Sequence, residues 1–199
     1  MRIYLSLFLS LAFSFAFSQK TIDAKIITFD NDTLRTKVKI ATNMFDPTLI
    51  YGSSFSPKVK TVNDEGKKVV MEASQIKELS FTDFNGKNRV FVNNSENKKS
   101  LNEHLFNGKI LDWYRGYMAT TGGENGTDFL FNKVTQKGIG VGYFTGLPKN
   151  KLIEFFSDEP EMSKFIQDMK SSSMRNAENS IDVCMESIIK KYESLKSKN

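Results

Sequence analysis

The chain has few residues of the kinds that usually carry metal or histidine chemistry. Of its 199 residues, only Cys184 is a cysteine and only His104 is a histidine. A tetrahedral zinc site needs about three or four nitrogen or sulfur ligands, and no HExxH motif surrounds His104. We therefore expect no catalytic residue, no metal site and no cofactor, and we interpret His104 as a structural or surface residue.

A single cysteine also cannot form a disulfide within its own chain. The fold must then rely on apolar burial, and 13 of the 17 phenylalanines lie after residue 18. Each one contributes about 1.5–3 kcal/mol of gross stabilisation when it is buried. Cys184 itself lies among regularly spaced apolar residues, so we expect a buried thiol rather than a nucleophile.

Long runs of like charge are absent as well. The net charge of +5 comes from 28 Lys and Arg against 23 Asp and Glu, and no basic run exceeds two residues. Nucleic-acid binders usually concentrate their positive charge on one face. Lysines scattered along a chain are typical of a solvated surface, so we expect no nucleic-acid partner.

The first 18 residues have the pattern of a cleavable signal peptide. Arg2 precedes residues 5–17, which are all Leu, Phe, Ala or Ser, and Ala16 and Ser18 place small side chains at −3 and −1 of a cut before Gln19. The apolar run is shorter than the roughly 20 residues of a membrane-spanning helix. We expect export to the periplasm or the outside, and a single mature domain over 19–199 with no transmembrane segment.

Residues 19–147 have the pattern of antiparallel strands, because short runs of Val, Ile, Phe and Thr alternate with turn clusters. Val38 and Ile40 alternate with Lys37 and Lys39, which indicates one buried and one wet face. Hairpins are expected over 22–40, 58–71, 76–92 and 109–134, the last with a glycine-rich loop at 121–126. The alternating glycines of 138–142 indicate a further strand rather than a phosphate-binding loop.

Residues 148–199 change to a helical period. Asp158 and Glu161 predict a capping box, followed by Met162, Phe165 and Ile166 on one face. A second helix is expected over 175–195. The fold class is therefore α+β, with an antiparallel β-meander or partly closed barrel followed by two or three C-terminal helices packed on it.

One segment combines the residue types that dominate binding hot spots. On a strand, Trp113, Arg115 and Tyr117 project from the same face, and Trp, Tyr and Arg are enriched at the centres of interfaces. We take these three as the candidate binding residues. The alternative is that the aromatic side chains belong to the core and that Arg115 extends from their edge to solvent.

The order of segments resembles a family of uncharacterised exported proteins of Bacteroidota-type bacteria. The matching stretches are KIIT at 25–28, DTL at 32–34, SQIKEL at 74–79, LFNGKI at 105–110 and LIEFFSDEP at 152–160. The family pattern commonly has glycine before the isoleucine pair, where this chain has Ala24 and Lys25. It often has a cysteine where this chain has Glu159, so no disulfide to Cys184 is implied. The resemblance implies an envelope location and no known activity.

These observations favour a non-enzymatic binding or interaction module of the cell envelope. Its partner would be an envelope protein, peptide or glycan. Two alternatives stay open: a structural accessory of an envelope assembly, and an enzyme that acts on envelope glycans or peptides without histidine or metal chemistry.

Overall fold

The computed structural model describes residues 19–63, 65–94, 98–121, 123–142, 146–171 and 180–197. The expected signal peptide at 1–18 and the expected start of the last helix at Arg175 lie outside these residues. Within these residues, ten strands form one open antiparallel sheet, and three α-helices follow it. This confirms the predicted α+β class. Among the described residues, no helix combines the length and the hydropathy that crossing a bilayer requires.

The strands are β1 Gln19–Thr28, β2 Thr33–Ala41, β3 Lys58–Val62, β4 Lys68–Glu72, β5 Ile76–Thr82, β6 Asn88–Val92, β7 Asn102–Asn107, β8 Leu111–Thr120, β9 Gly123–Asn132 and β10 Lys137–Val141. The helices are α1 Lys149–Phe155, α2 Pro160–Asp168 and α3 Ile181–Lys196. The strands lie in the order β10-β9-β8-β7-β6-β5-β1-β2-β3-β4. The predicted loop at 121–126 is mostly strand, since β9 begins at Gly123.

The chain divides into two compact units. Unit 1 contains the described residues up to Glu103 and the segment Gly116–Gly126, and unit 2 contains His104–Arg115 and the residues from Thr127 onward. Strands β1–β6 therefore belong to unit 1. The three helices belong to unit 2, together with β10 and parts of β7, β8 and β9.

The sheet of unit 1 must curl strongly. Only Ala73–Gln75, a 3-10 turn, connects β4 to β5, although β3, β2 and β1 lie between these two strands in the sheet order. Four strand spacings in a flat sheet amount to about 19 Å, whereas four residue steps reach at most about 14 Å. The meander is thus interrupted at β5, which returns to pair with β1.

The curled sheet encloses an aromatic core. Phe55, Phe81 and Phe91 are buried and contact one another, with ring centroids 4.6 to 5.9 Å apart. The ring of Tyr117 packs closely on Gly52, where a Cβ would come within 2.3 Å of the ring. Residue 52 therefore has to be glycine for this ring to keep its position.

In unit 2 the helices pack on strands β8 to β10. The apolar stripe of α3 faces this core, as predicted, and Cys184 is buried within it. Ser180 caps α3 by accepting a hydrogen bond from the backbone N–H of Val183. The capping box predicted for α2 is wrong: its N-cap is Glu159, with no side-chain cap, because Asp158 instead accepts a hydrogen bond from Tyr192 and pairs with Lys196.

A carboxylate of α3 completes the turn between β7 and β8. Oε1 of Glu193 accepts hydrogen bonds from the backbone N–H groups of Ile110 (2.8 Å) and Leu111 (2.7 Å), and Oε2 accepts one from that of Lys109 (3.2 Å). A Cβ at residue 108 would lie 2.3 Å from Glu193 Oε1. Gly108 thus allows the helix and the turn to approach each other.

Candidate functional site

Two of the three predicted binding residues contribute to a buried polar centre in unit 2. Trp113 is only 5% exposed, and its Nε1 donates to Oδ2 of Asp128 at 2.7 Å. Arg115 donates to both oxygens of the same carboxylate, at 2.6 and 2.9 Å, and to Asp182 at 2.7 Å. Burial opposes ionisation of Arg115, but the hydrogen bonds and charges of the two carboxylates outweigh it and raise its pKa.

The third predicted binding residue belongs to unit 1. The hydroxyl group of Tyr117 donates to Oε2 of Glu103, whose carboxylate also accepts hydrogen bonds from Arg89. The ring of Tyr117 lies 6.3 Å from that of Phe91. The structure therefore gives all three predicted residues partners inside the protein and places Trp113 in the core, the alternative that the sequence left open. A ligand role for Trp113, Arg115 and Tyr117 stays a prediction.

His104 takes part in a structural contact within unit 2. Its Nε2 lies 2.9 Å from Oδ1 of Asp112, and its ring stacks on Tyr114 with centroids 4.5 Å apart. Lys133 pairs with the same carboxylate oxygen at 3.0 Å. The carboxylate of Asp112 thus has a cationic partner as well as the imidazole, an arrangement that holds side chains in place.

Other buried polar side chains of the described residues also have hydrogen-bond partners. No buried side-chain nitrogen or oxygen atom among the described residues lacks a hydrogen-bond partner. Within the same residues, no three His, Cys, Asp or Glu side chains stand close enough together to hold a metal ion. Because buried polar atoms here satisfy one another, a ligand would have to bind through exposed groups.

An open cleft of about 930 Å³ lies on the outer face of the curled sheet in unit 1. Its lining residues come from β1 and β2, from the end of β3 and the β3–β4 turn, and from β5 and β6. Its described lining combines polar or charged residues, namely Asp23, Lys25, Arg35, Thr36, Lys37, Asn63, Ser80, Thr82 and Asn88, with the apolar residues Ala24, Val62, Gly66, Phe81 and Val90.

The strand register explains why these residues meet. Lys25 of β1 lies opposite Arg35 of β2 on one side and opposite Ser80 of β5 on the other. Two residues before Lys25 in β1, Asp23 lies opposite Lys37. Alternation along each strand turns these side chains away from the core, into which Ala24, Ile26 and Val38 point.

Positive charge dominates the cleft. Lys25, Arg35 and Lys37 are exposed, and none of them forms an ion pair with another described residue. Asp23 is the one carboxylate among the described lining residues. The arrangement can therefore hold an anionic group by charge and can orient it through the neighbouring hydroxyl and amide groups.

The sequence carries only part of the signal for this cleft. The alternation at 37–40 correctly predicts a wet face, but it does not predict that the lysines cluster with residues of other strands. Their clustering depends on which strands are neighbours, above all on the pairing of β1 with both β2 and β5.

Comparison of the chain with family models, with curated proteins and with solved structures gives no match.

Proposed function

We propose that this chain is an exported protein of the cell envelope that acts as a non-enzymatic binding module, with the cleft of unit 1 as its ligand-binding surface. The observation that carries the proposal is the open polar cleft with three cationic side chains that have no ion-pair partner among the described residues. The pattern of residues 1–18 supports export.

The chemistry of the cleft favours binding over catalysis. Its described lining residues offer one carboxylate, Asp23, whereas general acid–base catalysis of glycoside hydrolysis uses a pair of carboxylates on either side of the bond. The buried carboxylates of unit 1, Asp83 and Glu103, are both engaged by Arg89. Such pairing is typical of structural ion pairs.

The sheet edges favour binding over a purely structural role in an assembly. Assembly by strand addition uses a long, unpaired strand edge. The two strands at the ends of the sheet order, β4 and β10, have five residues each. Short edge strands are one of the devices by which proteins avoid such pairing.

Amide NMR of the 19–199 chain tests the cleft as a binding site. We expect soluble fragments from a peptidoglycan digest, or an oligogalacturonate, to shift the amide signals of Lys25, Arg35 and Ser80 and to be recovered chemically unchanged. Shifts confined to other residues would contradict the proposed surface. Conversion of the added ligand would favour the enzyme alternative.

A pair of double variants provides the control. Arg35→Ala with Lys37→Ala removes two cleft cations, and Lys151→Ala with Lys164→Ala removes two exposed lysines of the helices in unit 2. Only the first pair should abolish the shifts, and both should change the free energy of unfolding by no more than about 0.5 kcal/mol. Export is tested separately, because intact-mass measurement on protein from the native envelope should give a chain that begins at Gln19.

A further inference from the structure

The positive charge of the cleft continues along the outer face of strands β2 to β4. Alternation along β2 places Lys39 on the same face as Lys37. On β3 and β4, Lys60 and Lys68 are exposed, and Lys68 lies opposite Val62, which itself lies opposite Lys37. We call these cations the basic face; its members are Lys25, Arg35, Lys37, Lys39, Lys60 and Lys68.

The members of the basic face are close to one another. Lys25 and Arg35 are directly opposite across β1 and β2, an arrangement of like charges that destabilises a sheet. Desolvation, together with the ammonium groups of Lys68 and Lys60, lowers the pKa of Lys39. Neighbouring strands are about 4.8 Å apart, so cations from four strands share a surface about 15 Å wide.

Carboxylates do little to neutralise this face. No member of it forms an ion pair with another residue of the described chain. Asp23 lies among them, opposite Lys37, and Glu72 at the end of β4 pairs with Lys58. The uncompensated repulsion would be relieved by a ligand that brings several negative charges at once.

The surroundings of the basic face indicate what kind of polyanion fits. Apart from Ile27, Ala41, Val62 and Val70, the strand positions of β1 to β4 on this face are polar or charged, and none of these described positions carries an aromatic ring. Single-stranded nucleic acids bind through base stacking on aromatic side chains. Surfaces that insert into membranes usually present Trp, Phe or Leu. A hydrated chain with acidic groups and no need for stacking fits better.

We propose that the basic face binds an acidic polysaccharide, with the cleft holding one of its acidic groups and Lys39, Lys60 and Lys68 holding further ones along the chain. This inference rests on the proposed binding function and names its ligand class. Because exposed charges attract through screened electrostatics, the binding should weaken steeply as salt is added.

Isothermal titration calorimetry of the 19–199 chain with polygalacturonate tests the inference. We expect binding at low ionic strength that is lost in about 0.5 M NaCl, where the screening length falls to roughly 4 Å. The triple variant Lys39→Gln, Lys60→Gln and Lys68→Gln should bind about tenfold more weakly, or weaker still. The control triple variant Lys151→Gln, Lys164→Gln and Lys190→Gln should keep the wild-type affinity within about twofold. Equal binding of neutral dextran, or an unchanged affinity of the first triple variant, would overturn the inference.

Two further titrations separate the other polyanions. The inference would be overturned if the chain bound duplex DNA or phosphatidylglycerol vesicles more tightly than polygalacturonate. The basic face would then be assigned to the tighter partner. If oligogalacturonate still shifts the cleft amides while the triple variant binds polygalacturonate normally, the inference fails and the proposed function stands. If neither the peptidoglycan fragments nor oligogalacturonate shift the cleft amides, both the proposed function and this inference fail.

Discussion

Both units bury an arginine against a carboxylate, and the two centres share the same chemistry. In unit 1, Arg89 donates to Glu103, and in unit 2, Arg115 donates to Asp128. An aromatic side chain donates to each carboxylate as well, through the hydroxyl group of Tyr117 in unit 1 and Nε1 of Trp113 in unit 2. Each guanidinium group also lies 5.6 to 5.7 Å from the centre of an aromatic ring.

The centres differ in their second carboxylate. Arg89 reaches the buried Asp83, six residues away in the β5–β6 turn, at 3.5 Å. Arg115 reaches the half-exposed Asp182, 67 residues away in the first turn of α3, at 2.7 Å. One arrangement therefore stabilises a local hairpin, whereas the other fixes a helix to a strand. The same ion pair can serve local or long-range structure.

The largest loss of folding stability is expected from Asp128→Asn, because this change leaves the buried guanidinium of Arg115 without its main counter-charge. Removing one partner of a buried ion pair costs about 3–5 kcal/mol. Urea unfolding followed by the fluorescence of Trp113, the only tryptophan, measures the loss in unit 2. Asp182→Asn is the control, because its exposed side chain should contribute about 1 kcal/mol or less. Equal losses for the two variants would contradict the assignment of Asp128 as the main partner.

A smaller loss of folding stability, about 2–3 kcal/mol, is expected from Glu103→Gln. Arg89 still pairs with Asp83, and the new amide oxygen still accepts a hydrogen bond. Hydrogen-exchange mass spectrometry should show faster exchange in residues 76–92, which contain the hairpin of β5 and β6. The matched variant Glu124→Gln replaces a carboxylate that is only partly buried, and it should leave this hairpin unchanged. Faster exchange in the helices without any in the hairpin would contradict the local role of this centre.

The last of these effects is confined to alkaline pH and concerns Tyr192, another long-range contact of unit 2. Burial and the hydrogen bond to Asp158 raise the pKa of Tyr192 to about 12, above the value of about 10 in an unfolded chain. The folded state therefore holds this proton more tightly. The resulting stabilisation, at most about 2–3 kcal/mol, is complete below pH 10 and is lost as the pH rises through 12.

Comparison with Tyr192→Phe isolates this contribution. Urea unfolding between pH 9 and 12 should show a steeper loss of stability for the wild-type chain than for the variant, which has no phenolic proton at this site. Parallel losses in the two proteins would show that other groups account for the alkaline dependence.

The sequence predicted local structure well because strand and helix periods are local properties. The hairpins at 22–40, 58–71 and 76–92 are present, and the apolar stripe of α3 is buried. Strand β7 was not predicted, because polar residues such as Asn102 and His104 interrupt its apolar pattern.

Contacts between distant residues account for what the sequence could not predict. Asp158 has the spacing of a helix cap but bonds to Tyr192, 34 residues later. The cleft depends on β1 lying between β2 and β5, and no periodicity along the chain specifies that neighbour. The composition around Trp113 predicts a binding surface, whereas the partners that the structure shows for Trp113 and Arg115 are inside the protein, so the ligand role stays a prediction.

The contact of Glu193 with the β7–β8 turn has a consequence for the time course of synthesis. Leu111 is made 82 residues before the carboxylate that its backbone N–H bonds to. At about 5–20 residues per second, a ribosome needs about 4 to 16 s to reach that glutamate. Strands β1 to β6 are continuous in sequence and can pair during this interval. The turn at Gly108 cannot yet form its hydrogen bonds to Glu193. Unit 1 can therefore begin to fold on the growing chain, and unit 2 is completed only after α3 has been made.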